Sequence, residues 1–137
     1  MVKLDPIIRR WYEHLNDGKL MGMKCEDCGA YEFPPVPVCG KCGGMHMDWA
    51  EISGKGDLFA FNLNSTGIYP YTEDITVSGY VKLEEGMNFI GILDGYEMED
   101  QPALFEKLKE AEGKLPAKLV LAPLNDDWQY PHIVLED

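Results

Sequence analysis

The spacing of apolar residues is helical near the N-terminus of this 137-residue chain. Asp5 is a suitable N-cap, Pro6 suits the first helical position, and Gly18 supplies a stop. Between them, apolar residues recur every three or four positions, as on one face of a helix: Ile7, Ile8, Trp11, Tyr12 and Leu15. We therefore predict an N-terminal helix within residues 1–18.

The second half of the chain has a pattern typical of strands. Its segments combine β-branched or aromatic residues with turn signals at their ends. Five of them read as strands: 57–64, 75–83, 88–96, 117–124 and 131–135. Asp100 can cap a helix that Gly113 ends, between the third and fourth strands. Three strands, a helix and two strands are the order expected of an OB-type antiparallel barrel, which we assign to residues 54–137.

All four cysteines lie between these two regions, in two Cys-x-x-Cys pairs that are each followed by glycine: Cys25, Cys28, Cys39 and Cys42. Each pair can form a tight knuckle, and two knuckles complete a tetrahedron of thiolates. Four thiolates leave no open coordination position, so the metal would be structural, and its binding would help to fold a segment too small to have its own core. We assign residues 19–53 to this metal ribbon, with strands near 20–24 and 47–52.

The identity of the metal rests on chemistry and compartment. Zinc is favoured over iron, although four cysteines alone do not discriminate between them. A thioredoxin-type dithiol is the competing interpretation, but it needs only one Cys-x-x-Cys and would leave the second pair unexplained. The N-terminus interleaves charges with apolar residues, and no apolar run approaches the roughly 20 residues of a membrane span. We expect a soluble, cytoplasmic protein, whose reducing environment disfavours disulfides.

Charge is distributed unevenly along the chain. Residues 1–56 hold seven Lys and Arg against eight Asp and Glu, whereas residues 57–137 hold five against sixteen. Ribbon and OB modules often bind nucleic acid, but this requires a basic face that neutralises phosphates. The acidic barrel half would repel the polymer, so we expect no nucleic-acid partner.

Several short motifs follow one another between residues 18 and 56: Gly18-Lys19-Leu20, Cys25-x-x-Cys28-Gly29, Phe33-Pro34-Pro35, Cys39-x-x-Cys42-Gly43 and Trp49-x-Glu51-x-Ser53-Gly54-Lys55-Gly56. This ordered set resembles the zinc-ribbon OB-fold proteins once classed as a domain of unknown function and now described as acyl-CoA-associated. The resemblance covers nearly the full length. It implies an N-terminal helix, a rubredoxin-like zinc ribbon and an OB barrel. It also implies a non-catalytic subunit that binds a thiolase-like partner in a hetero-oligomer and helps to enclose the pantetheine arm of coenzyme A.

Three features depart from that family pattern. Val36 stands where many relatives have an arginine, and the second knuckle reads Cys-Gly-Lys-Cys instead of Cys-Pro-x-Cys. A phosphate contact credited to that arginine is therefore not expected here. Residues 98–137 are also longer and more helical than the plain family ending, which suggests a barrel end adapted to a particular partner.

Two sets of side chains are candidates for binding. If this chain contacts the phosphates of coenzyme A, the cations should come from the ribbon half or its edge: Lys19, Lys24, Lys41 and Lys55. Ordinary solvation is the alternative for each. The helix face of Ile8, Trp11, Tyr12 and Leu15 either packs on this chain's own domain or docks onto the partner, with Trp11 as the anchor.

No set of residues in the sequence assembles an acid, a base and an electrophile. His14, His46 and His132 are isolated, and Ser65 lacks a Gly-x-Ser-x-Gly turn. The leading hypothesis is therefore a non-catalytic zinc subunit of a thiolase-type acyl-CoA complex. A stand-alone acyl-CoA or lipid-binding module and a rubredoxin-like electron carrier are the alternatives.

Overall fold

The computed structural model describes residues 5–64 and 76–136, which form mostly strands with two α-helices. The elements are α1 (Pro6–Asn16), β1 (Met21–Cys25), β2 (Tyr31–Glu32), β3 (Met47–Glu51), β4 (Lys55–Asn64), β5 (Thr76–Leu83), β6 (Asn88–Ile92), a 3-10 turn (Met98–Asp100), α2 (Gln101–Glu110), β7 (Leu115–Pro123) and β8 (Gln129–Leu135). Ser65 and the predicted start of the second barrel strand at residue 75 lie outside the described residues. In the described part of the chain, no helix has the length and apolar character that crossing a membrane requires.

The chain divides into two compact units. Unit 1 comprises Met1–Ser53, Glu84–Met87 and Leu121–Tyr130, and unit 2 comprises Gly54–Leu83, Asn88–Val120 and Pro131–Asp137. The first change of unit falls between Ser53 and Gly54. Helix α1 and the ribbon strands are thus grouped in one unit, together with two segments that come from the barrel half of the sequence.

Helix α1 begins and ends as its sequence predicts. The Asp5 carboxylate accepts a hydrogen bond from the Ile7 N–H at 2.9 Å, and Pro6 occupies the first turn, where its missing N–H has no cost. Gly18 follows the helix at φ 78°, a left-handed conformation that suits a residue without Cβ. The amphipathic pattern buries Trp11 and Leu15.

Unit 1 contains a three-stranded antiparallel sheet in the order β2-β1-β3. The register of β1 and β3 runs from Met21 opposite Glu51 to Cys25 opposite Met47. Strand β2 was not predicted, because two residues are too short to show any alternation of polar and apolar positions. It lies directly after the first knuckle and pairs with Met23 and Lys24 of β1.

The tip of the β7–β8 hairpin, residues 121–130, covers helix α1 within unit 1. Trp11 packs edge-on against Phe33 and Tyr130, with ring centroids 5.6 Å and 5.7 Å away. Asn16 at the end of the helix donates to the Asp127 carbonyl and accepts from the Gln129 N–H. The aromatic core of unit 1 is therefore built from parts of the chain that lie more than a hundred positions apart.

Unit 2 contains the five-stranded antiparallel sheet β6-β5-β4-β7-β8. A parallel bridge between Leu93 and Ile133 joins the two ends of this sheet, so the barrel is nearly closed. Its core side chains are almost fully buried: Leu58, Val77, Val81, Leu83, Phe89, Leu93, Leu104, Ala117, Leu119 and Ile133. The strand order, with α2 between the third and fourth barrel strands, confirms the predicted OB-type barrel.

The start of helix α2 differs in detail from the prediction. Asp100 occupies the N-cap position, but its carboxylate makes no cap bond to α2. It accepts instead from the Glu97 N–H at 2.8 Å, within a capping box that Glu97 completes around the preceding 3-10 turn. The helix prediction was correct in position because Asp100 lies between two consecutive helical turns.

Candidate metal centre

Each Cys-x-x-Cys-Gly segment folds into a knuckle closed by a backbone hydrogen bond. The Gly29 N–H donates to the Cys25 carbonyl at 2.8 Å, and the Gly43 N–H donates to the Cys39 carbonyl at 2.9 Å. Both glycines adopt the left-handed conformation, with φ 80° at Gly29 and 74° at Gly43. Glycine tolerates this conformation best, which explains why each cysteine pair is followed by that residue.

The two knuckles bring all four thiols together. Every pair of Sγ atoms lies within 4.8 Å, and the Cys25–Cys42 and Cys28–Cys39 pairs are 3.6 Å apart. A disulfide requires about 2.05 Å, so all four cysteines are free. A tetrahedral zinc with Zn–S bonds of about 2.3 Å places its sulphurs about 3.8 Å apart, so this donor set fits zinc.

Backbone amides also point at the sulphurs. The Lys41 N–H donates to Cys39 Sγ at 3.4 Å, and the Gly44 N–H donates to Cys42 Sγ at 3.3 Å. Backbone hydrogen bonds from Cys42 and Lys41 lower the pKa of Cys39 to about 7. The Gly44 amide lowers the pKa of Cys42 too, but the Cys25 and Cys28 thiols outweigh it and raise that pKa to about 12.

The four thiols compete for negative charge, because thiolates this close to one another repel. A bound divalent cation removes this competition, because it stabilises all four thiolates at once. Cys25 and Cys39 are buried and Cys28 and Cys42 exposed, so the centre lies at the surface of the ribbon. Four sulphur ligands would fill a tetrahedral metal, so the cysteines can hold zinc structurally but offer no coordination position for a substrate.

The four lysines predicted for coenzyme A are all exposed. The Lys24 ammonium lies 5.5 Å from the centroid of the Tyr31 ring, within cation–π range. Lys41 and Tyr31 both line a cleft of about 640 Å³ beside the second knuckle. Lys19 follows helix α1, whereas Lys55 begins β4 in unit 2. The structure thus places Lys24 beside Tyr31, and Lys41 on a cleft that Tyr31 also lines.

Two of the four residues predicted for the interface on helix α1 are buried. Trp11 is 2% exposed and Leu15 0%, because both pack inside unit 1. Neither side chain is accessible to a partner in this conformation. Ile8 and Tyr12 are half-buried, so a role of this helix in binding remains a proposal for those two residues.

The three histidines that are isolated in the sequence have neighbours in space. His46 Nδ1 lies 3.0 Å from Asp27 beside the first knuckle, and His132 Nδ1 lies 2.9 Å from Asp94 in unit 2. The ring of His14 packs edge-on against Trp49 at 5.2 Å. No spacing rule connects these residues, so sequence reasoning missed these contacts, as it missed the amide donors to the sulphurs.

The fold and the centre define the class of protein: a four-cysteine zinc ribbon combined with an OB-type barrel. Residues 13–45 match the family model described as "ChsH2, rubredoxin-like zinc ribbon domain". A solved structure titled "Ltp2-ChsH2(DUF35) aldolase" superposes with a TM-score of 0.73 over 98% of each chain at 21% identity, which supports the same fold.

Three relatives match this chain over a longer stretch than the ribbon. A DUF35 domain-containing scaffold protein of Methanocaldococcus jannaschii is 25% identical over 77% of this chain and 82% of its own. The benzoylsuccinyl-CoA thiolase subunit BbsA of Thauera aromatica is 30% identical over 56% of this chain and 52% of its own. A probable enoyl-CoA hydratase alpha subunit of Thermomonospora curvata is 28% identical over 62% of this chain.

The extent of these matches differs. This chain spans only 27% of the hydratase subunit and about half of the thiolase subunit, but most of the scaffold protein. Together, the matches support the zinc-ribbon DUF35 family and confirm the resemblance carried by the cysteine, proline and glycine motifs of the sequence.

Proposed function

We propose that this chain is a non-catalytic zinc-containing subunit of an acyl-CoA-processing complex, with a thiolase-type enzyme as its partner. The observation that carries this proposal is the naming of the relatives as a thiolase subunit, a hydratase subunit and scaffold proteins. The four-thiol centre agrees with it, because a metal held by four sulphurs stabilises the ribbon and has no position for substrate. A cytoplasmic location belongs to the same proposal.

The proposal includes a contact with the coenzyme A part of the substrate. Lys24 and Lys41 are the best-placed cations, since Lys24 lies beside Tyr31 and Lys41 lines the ribbon cleft to which Tyr31 also belongs. Glu32 and Glu85 line the same cleft and would oppose phosphate, so a strong contact requires further positive charge from the partner. We therefore expect this chain to help enclose coenzyme A and to bind it weakly when alone.

Purification from the native host tests the subunit assignment. A tagged copy of this chain should co-purify in fixed stoichiometry with an enzyme that mass spectrometry identifies as thiolase-like. The partner enzyme without this chain should have much less acyl-CoA activity than the complex, and adding this chain should restore that activity. Recovery of the tagged chain without any acyl-CoA enzyme would contradict the proposal.

Isothermal titration separates the leading function from the alternative of a stand-alone acyl-CoA module. The isolated chain should bind coenzyme A at least ten-fold more weakly than the complex does. Lys41→Ala should weaken binding to the complex, with Lys114→Ala, an exposed lysine of the barrel half, as the matched control. Equal affinity of the isolated chain and the complex would favour the stand-alone module.

A further inference from the structure

The outer face of the barrel carries a row of apolar side chains. Tyr80 of β5 pairs with Ala60 of β4 and with Ile90 of β6, so these residues project from one face of the sheet. Phe59 lies at the register shift in β4, with its ring centroid 6.3 Å from that of Tyr80. Ile90 is 58% exposed and Phe59 41%. We call Phe59, Tyr80 and Ile90 the apolar row.

The apolar row is separate from the core of the barrel. The adjacent paired residues Leu58, Val81 and Phe89 point to the opposite face and are at most 2% exposed. On the outer face, the Asn62 side-chain amide donates to the Tyr80 hydroxyl at 3.2 Å and orients this ring. The row is thus an ordered, solvent-facing surface, on the second and third barrel strands that OB proteins commonly use for ligands.

An acidic cleft continues this surface at the end of β6. Ile92 lies on the same face as Ile90 and lines a cleft of about 540 Å³. The cleft is lined by the apolar side chains of Val77, Leu93 and Met98 and by the carboxylates of Asp94, Glu97 and Glu99. Met98 is 49% exposed. Between Lys82 and Lys107 the sequence has seven Asp and Glu and no Lys or Arg, so nothing in this stretch balances the carboxylates.

The carboxylates of the cleft are not equally engaged within unit 2. Asp94 contacts His132, and Glu97 takes part in the capping box with Asp100. Glu99, by contrast, makes no hydrogen bond or ion pair with the described residues. An exposed carboxylate beside an exposed methionine and an apolar wall suits the long side chain of Lys or Arg, whose stem is apolar and whose end is cationic.

We propose that the apolar row and this cleft form the docking surface for the enzyme partner, and that the partner contributes an apolar contact flanked by Lys or Arg. This inference rests on the proposed function, because it presupposes that partner. Complementary charge would steer the association and fix its orientation. A second copy of this chain fits worse, since a two-fold interface would bring equal acidic clefts close to each other.

The experiment uses the complex purified from the native host, with the enzyme identified by mass spectrometry as the binding probe. Dissociation constants are measured by surface plasmon resonance for two surface variants, Ile90→Ala and Glu99→Lys. Each has a matched control outside the surface: Met45→Ala, at a 74% exposed apolar residue of unit 1, and Glu110→Lys, at the exposed end of α2. Melting curves are recorded for each variant to check that it is folded.

We expect both surface variants to bind the enzyme at least ten-fold more weakly and both controls to change affinity less than three-fold. Glu99→Gln should also reduce the dependence of the association rate on salt. In the wild-type complex, carbodiimide should cross-link Glu97 or Glu99 to a lysine of the enzyme.

The possible outcomes separate this inference from the proposed function. If the wild-type chain binds no acyl-CoA enzyme, the proposed function fails, and the docking surface fails with it. If it binds the enzyme but Ile90→Ala and Glu99→Lys behave like their controls, the docking surface is wrong while the function stands. If sedimentation shows a dimer of this chain that Ile90→Ala dissociates, the occupant is a second copy and the inference is overturned.

Discussion

Replacement of Trp11 distinguishes packing within the chain from docking on a partner. The indole is 2% exposed and contacts Phe33, Tyr12 and Tyr130. A buried aromatic side chain removes about 150–250 Å² from water, which at about 25 cal/mol per Å² corresponds to about 4–6 kcal/mol as an upper estimate. Measured Trp→Ala changes in cores cost about 3–5 kcal/mol, so we expect Trp11→Ala to lower the free energy of unfolding by that amount.

A conservative variant tests the mechanism of this loss. The Trp11 indole N–H is buried without a hydrogen-bond acceptor among the described residues. Trp11→Phe keeps an aromatic ring and removes this unsatisfied donor, so it should cost about 1 kcal/mol or less. Trp11 and Tyr130 should also couple by about 0.5–1.5 kcal/mol in a double-mutant cycle with Tyr130→Leu, because their rings meet edge-on at 85°.

The assay is urea unfolding of the zinc-loaded protein followed by far-UV circular dichroism, since loss of a tryptophan alters the fluorescence signal. Arg9→Ala is the control on the same helix, where an exposed ion pair with Glu13 contributes about 0.5 kcal/mol. A loss below about 1 kcal/mol for Trp11→Ala, together with loss of the enzyme complex, would refute the packing argument and restore Trp11 as an interface residue.

Three further predictions concern the metal, the pH dependence and the barrel. Cys25→Ser or Cys42→Ser should abolish stoichiometric zinc binding and make residues 20–50 sensitive to protease, at a cost of several kcal/mol in unit 1; full metal content measured by atomic absorption would contradict a four-thiolate centre. Burial, and after it the charge of Arg10, lowers the pKa of His14 below its ordinary value of 6.5. The contribution of His14 to stability is therefore present above pH 6.5 and is lost as the pH falls below that value. In urea titrations at falling pH, the free energy of unfolding should decline less steeply for His14→Gln than for the wild type. Gly56→Ala should destabilise unit 2 by more than about 2 kcal/mol in thermal melts, because the added Cβ would overlap the Lys82 carbonyl in the neighbouring strand; an unchanged melting temperature would disprove this contact.

Local sequence was sufficient wherever one short segment carries its own geometry. The two Cys-x-x-Cys-Gly segments fold into knuckles because each hydrogen bond that closes them spans four residues. The start of α1 follows from Asp5 and Pro6 for the same reason, since the cap bond joins residues two positions apart. The order of strands and helix in the barrel half also predicted the OB-type barrel, because the residue types and turn signals of each segment indicate whether it forms a strand or a helix.

Only the tertiary structure decided what covers each apolar face. Periodicity shows that Trp11 and Leu15 share a helix face, but not that the hairpin tip at 121–130 packs on it from the other end of the sequence. The apolar row arises in the same way, since Phe59, Tyr80 and Ile90 become neighbours only through strand register. A single sequence records the preference of each segment for burial, whereas the partner of that segment depends on contacts that close long loops.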